Sequence, residues 1–120
     1  MQDSELIIAV NKDERAPMFD TEDPRYLHAA LEAMDCALSC GLIPELNTGA
    51  ISRKWRDRPY PADFLLRALR EMGGKVILGA DTHAADTIDC AFPLAVEIAK
   101  KAGFDTLLTL WPDGFHEEKI

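Results

Sequence analysis

The chain has 120 residues, 48% of them apolar, with 21 acidic against 13 basic side chains and a formal net charge of −8. That length suits one domain, and the apolar residues are spread evenly enough to build a core rather than a disordered or low-complexity chain. The acidity argues against a protein that binds nucleic acid through a basic surface. Cys36, Cys40 and Cys90 are odd in number and lack a tight C-x-x-C spacing, which argues against a disulfide framework or a structural zinc site. Cys36 and Cys40 stand four apart in a helical pattern and read as small residues in or near the core.

The N-terminus, MQDSELIIAV, has no basic start, and its apolar run of five residues is too short for a signal sequence or a membrane span. A reducing cytoplasm and no membrane partner are the expectation. Leu6 to Val10 is short and β-branched, as a buried strand is. A polar loop follows, and then Asp23-Pro24 gives a helix start, with an acid at the N-cap and proline at the first helical position. Leu27, Leu31, Met34 and Leu38 form one apolar stripe of that helix, and Gly41 ends it. Leu42 to Thr48 reads as a second strand, with Pro44 near its start or on an edge.

A loop rich in Arg, Lys, Trp and Pro leads to a helix over Asp63 to Met72, with Leu65, Leu66 and Leu69 inward and Gly73-Gly74 as its stop. KVILGA, Lys75 to Ala80, is the third strand, and its unbroken apolar centre suits a strand covered on both faces. The next helix runs from about Phe92 to Lys101, with Pro93 in its first turn. TLLTLW is the fourth strand, and Pro112-Asp113-Gly114 turns the chain into FHEEKI, which can pair back as a short hairpin. Strands alternating with helices predict α/β architecture with about four parallel strands. The length is about half of what a closed (β/α) barrel needs, so a small open sheet or a portion of a barrel is expected.

Asp81 and His83 fall where the third strand meets its loop, the end at which α/β folds bind ligands. In extended backbone, residues two apart point the same way, and oxygen with imidazole suits Zn, Mn or Fe. The plainer alternative is an Asp capping the next segment beside a surface His. Glu45 and Asn47 hold the matching place on the second strand, as supporting or substrate-contacting groups, or as a polar strand end with a turn at Asn47-Thr48-Gly49. In Ile51 to Pro61, four basic residues, Arg53, Lys54, Arg56 and Arg58, crowd six positions around Trp55. Such a loop fits an anionic substrate, because guanidinium binds phosphate bidentately, or it is a solvated surface. Trp55 and Tyr60 could stack single-stranded nucleic acid, a reading the overall acidity disfavours. His28 and His116 read as structural.

Three segments in series, ERAPMFDTEDPRYL, ELNTGAISRKWRDRPYPADFLLRALREMGGKVILGADTH and AGFDTLLTLWPDGFHEEKI, resemble the C-terminal part of histidinol-phosphate phosphatases of the PHP (polymerase and histidinol phosphatase) family. The resemblance runs from about Glu14 onward and rests on the N-T-G-x-x-x-R, P-Y-P and G-x-D-x-H motifs. It implies the C-terminal portion of a distorted (β/α)₇ barrel that holds divalent metals and hydrolyses a phosphorylated small molecule in histidine biosynthesis. It also implies that Asp81 and His83 are metal ligands and that Arg53 holds the phosphate. The family's H-x-H motif and its middle His and Glu ligands are absent, Glu5 stands near where a ligand is expected, and Ala84-Ala85 replaces a basic position. The resemblance therefore implies the last strands of a longer protein, inactive or weakly active alone. A half-barrel exposes two sheet edges, so a homo-oligomer joined through those edges is expected.

Overall fold

The computed structural model describes residues 19–120; the expected strand over Leu6 to Val10, and Glu5, lie outside the described residues. Helix α1, Pro24–Ser39, starts where Asp23 accepts a hydrogen bond from the Arg25 N–H at 2.8 Å. The Arg25 side chain, hydrogen-bonded to the Asp23 carboxylate, holds its pKa down at about 2. The helix buries Ala30, Met34 and Ala37, while Leu31 and Leu38 are partly buried against the core. The buried stripe thus sets the large Met34 between two alanines, which let the helix approach closely on either side of it. Cys36 and Cys40 are exposed, which corrects their expected place in or near the core: Cys36 falls on the side of α1 opposite Met34, and Cys40 caps the helix C-terminus.

Strand β1, Glu45–Asn47, is shorter than the expected Leu42 to Thr48. Pro44 has no N–H to give a ladder, and its carbonyl accepts from Ile77 at 3.2 Å. A one-turn helix α2, Gly49–Ser52, occupies the start of what reads as loop. Helix α3, Asp63–Glu71, buries Leu65, Leu66 and Leu69, as its spacing predicts. Strand β2, Ile77–Gly79, leads into a 3₁₀ turn at Ala85–Thr87. Helix α4, Phe92–Lys101, and strands β3, Thr106–Trp111, and β4, Gly114–Lys119, complete the described chain.

The four strands form one sheet in the order β1-β2-β3-β4. β1 and β2 are parallel, with Glu45 opposite Ile77 and Asn47 opposite Gly79, and β2 is parallel to β3 through Ile77 and Leu108. β4 returns antiparallel, from Trp111 opposite Gly114 to Thr106 opposite Lys119. The described chain is therefore α/β, with three parallel strands and the expected hairpin strand.

Register fixes the two faces of this sheet, because side chains alternate along each strand. Leu46, Leu78 and Leu107 share one face, and they belong to or pack against the core built with Met34, Leu65, Leu66, Leu69, Ala95 and Ile98 from α1, α3 and α4. Glu45, Asn47, Ile77, Gly79, Leu108, Leu110 and Phe115 share the other face. Among the described residues, no helix of eight or more residues packs on that second face; all three lie on the first. Leu110 remains 67% exposed and Phe115 52%.

The sheet edges are less open than its face. Asn47 donates to the Tyr60 carbonyl at 2.8 Å and accepts from the Tyr60 N–H at 2.9 Å, which closes, at that residue, the edge that β1 forms among the described residues. β4 presents exposed His116, Glu117, Glu118 and Lys119, charged residues of the kind that keep an edge strand from pairing with another chain.

Candidate functional site

The candidate residues gather at the C-terminal ends of β1 and β2, on the uncovered face. Glu45 lies across Gly79 of the neighbouring strand so closely that a Cβ at residue 79 would run into its carboxylate. Asn47 donates from Nδ2 to Glu45 Oε1 at 2.7 Å and accepts at Oδ1 from the Gly49 N–H at 2.8 Å. Both ends of the amide are thereby oriented. Thr48 is fully buried, and its N–H donates to the Gly79 carbonyl at 2.9 Å, which ties the start of α2 to the end of β2.

One turn later, α2 delivers Arg53. Its Nη2 donates to the Asp81 carbonyl oxygen at 2.7 Å and lies 3.4 Å from Asp81 Oδ2. The guanidinium carbon sits 5.4 Å from the centroid of the Trp55 ring, within cation–π range. Gly49 leaves room for it: a Cβ there would stand 2.6 Å from Arg53 Nη1, 3.0 Å from Asn47 Oδ1 and 3.1 Å from the Ala80 carbonyl oxygen. A planar cation is thus held between an indole, a glycine backbone and the loop after β2, which is a pre-oriented donor for a carboxylate or phosphate.

The sequence places Asp81 and His83 together by extended backbone, and the structure differs. β2 ends at Gly79, and Asp81 turns with φ of 45°, in the left-handed region that Asp tolerates better than most residues. The shared direction of residues two apart therefore does not apply. The Thr82 hydroxyl donates to the Thr87 carbonyl at 2.6 Å and lies 3.0 Å from Thr87 Oγ1, closing a small loop with an exposed His83 on it. Among the described residues, no three His, Cys, Asp or Glu side chains cluster as metal ligands. A protein site for a catalytic metal supplies three or more, and the Asp81 carboxylate already faces a guanidinium. As arranged, these residues do not fit a metal centre by themselves.

The other cations of the basic loop are distributed rather than pooled. Arg56 lies over the Tyr60 ring at 5.1 Å, and Arg58 pairs with Asp63 at 2.6 Å. Tyr26, half-buried at the start of α1, has its phenol pKa pushed up by burial, with the Arg56 charge opposing that shift. Its ring meets Phe64 edge-on at 6.0 Å. His28 sits 3.6 Å from Glu32 on the exposed side of α1, and His116 lies 2.8 Å from Asp113 by the hairpin turn.

Glu45, Asn47, Arg53 and Asp81 are thus brought to one end of two adjacent strands, and His83 is exposed on the loop that follows. Sequence reasoning includes Gly49 and Gly79 only as motif or turn positions; the structure shows that their lack of a side chain leaves room for Arg53 and Glu45. The available signal is that each follows a polar or β-branched strand position by one or two residues, at the strand end. The sequence matches no protein-family model, and no curated protein matches it.

Proposed function

We propose that this chain is the phosphate-holding portion of a metal-dependent phosphomonoester hydrolase of the PHP type, resembling histidinol-phosphate phosphatase, and is inactive or weakly active by itself. The observation that carries this reading is the Arg53 guanidinium, held at the strand ends by Asp81 and stacked on Trp55. A phosphate has two oxygens in the right plane for such a fork, and Asn47 and Glu45 lie on the same side of the sheet to meet a neutral or cationic part of the molecule. In this reading the barrel is represented by its C-terminal strands, and a metal supplied with further ligands would activate water and neutralise phosphoryl oxygens.

Thermal denaturation in inorganic phosphate, at ionic strength matched with chloride, tests the anion site. A ligand that binds only the folded state raises its midpoint. Phosphate should raise the midpoint of the wild type and leave that of Arg53→Gln where it was. No rise in the wild type would remove the anion reading. Assays with p-nitrophenyl phosphate in Mn or Zn should show weak turnover at most; strong metal-dependent turnover lost in His83→Ala would overturn that reading. The other reading, a non-catalytic α/β module that assembles with itself, is favoured by a separate observation, the uncovered sheet face.

A further inference from the structure

We propose that a second copy of this chain docks on the sheet face that no helix of eight or more residues among the described residues covers, sheet against sheet, rather than strand edge against strand edge. Such a dimer survives failure of the phosphate reading, but it covers the face that carries Glu45 and Asn47, so phosphate and a second copy compete for it. Four apolar side chains form a continuous stripe on that face across three strands: Ile77 is opposite Leu108, and Leu110 is opposite Phe115. Leu110 and Phe115 lie more than half in water, whereas Leu107, from the same strand and on the other face, is buried.

Charge selects the partner. The chain as a whole is at −8, so two copies repel at long range. Register nevertheless puts Glu45 and Glu117 on this face together with Lys119, and Lys75 Nζ pairs with Glu117 Oε1 at 2.5 Å. Two acids and two bases balance locally around the apolar stripe. In a two-fold contact each patch meets its own copy, so a patch of mixed sign can set Lys of one copy against Glu of the other. The edges lack this property. An antiparallel pairing of β4 with its copy centred on Glu117-Glu118 sets these acids opposite themselves, and like charges opposite one another destabilise a ladder. The β1 edge is closed at Asn47 by Tyr60.

Size sets the strength. A face of four strands about 4.8 Å apart falls below the roughly 800 Å² per partner of a standard stable interface. The dimer should be reversible and depend on concentration. Sedimentation equilibrium of the full chain tests this. The mass should climb from the 13.3 kDa of one chain toward twice that value as concentration rises. Leu110→Glu and Phe115→Glu should each hold the chain at the single mass with an unchanged circular dichroism spectrum. Trp111→Glu, on the opposite face of the same hairpin, should dimerise as the wild type does. A wild type that stays at the mass of one chain at all concentrations overturns the proposal. So does dimerisation that Leu110→Glu and Phe115→Glu leave intact, or that Trp111→Glu removes as fully as they do.

Discussion

The two faces of one sheet differ more than the strands that make them. On the helix side, Leu46 of β1 and Leu107 of β3 are buried among leucines of α3 and small residues of α1 and α4. On the other side, Ile77 of β2 and Leu108, one step along β3, are only partly covered, and Leu110 and Phe115 are in water. A run such as Val76-Ile77-Leu78 therefore reports that both faces of a strand are apolar. It does not report that both are covered by the described elements. The stability of the fold sits on one face, and its candidate recognition groups sit on the other.

The strongest way to break this comparison is to truncate one leucine on each face. Leu69→Ala, fully buried on the helix side, should cost about 2–5 kcal/mol through lost burial and the cavity left behind. Leu110→Ala should stay within about 0.5 kcal/mol, as exposed substitutions do. Urea denaturation at low protein concentration measures both, and equal costs would mean that the second face is covered.

A milder version adds a methyl group instead. A Cβ at Gly74 would run into Leu69 Cδ1 and approach Leu38, so Gly74→Ala should cost about 1–3 kcal/mol by overpacking. A Cβ at Gly79 meets the Glu45 carboxylate, a flexible end that can swing out over the open face, and the cost should be below about 1 kcal/mol. Gly79→Ala should instead weaken the effect of phosphate, because moving Glu45 breaks its 2.7 Å hydrogen bond from Asn47. An unchanged phosphate response would separate Glu45 and Asn47 from the site.

The smallest effect is a pH dependence at the rim of the helix layer. Burial raises the Tyr26 pKa above its ordinary value of 10.0. The unfolded chain then releases this proton before the folded one does. The contribution to stability is whole below pH 10 and is lost as pH rises through the folded pKa. Denaturation midpoints for the wild type should therefore decline more steeply above pH 10 than those of Tyr26→Phe; parallel curves would show that burial of the phenol does not matter.

Much of the scaffold is legible in the amino-acid sequence. Asp23-Pro24 marks the start of α1, the leucines of α3 fall on its buried side, and Phe92 to Lys101 is a helix over the residues its proline and apolar spacing indicate. The hairpin follows from Pro112-Asp113-Gly114. Each of these is a local signal, written in propensity or in a period of two or 3.6 residues. What escapes is decided by contacts far along the chain. The left-handed turn at Asp81 is met by Arg53, 28 positions earlier, and nothing near Asp81 announces it. The exposure of Cys36 depends on which side of α1 meets α3, which a helical period alone leaves open. The PHP resemblance rests on motifs in series, and of their residues Arg53, Asn47, Glu45 and Asp81 converge at the strand ends.

The unequal lengths of the strands have a mechanical consequence. β3 and β4 have six residues each, against three in β1 and β2. Beyond the level of Gly79 the hairpin continues as a two-stranded ribbon, a cantilever anchored at Leu107 and projecting past the end at which Arg53 and Asp81 meet. A ribbon of two strands has little stability of its own. Its outer half, from Leu110 to Phe115, can fray without opening the core, while amides near Leu107 exchange with solvent only when the whole sheet comes apart. The molecule thus keeps a compliant arm at one edge of a sheet whose other edge carries the Arg53 site.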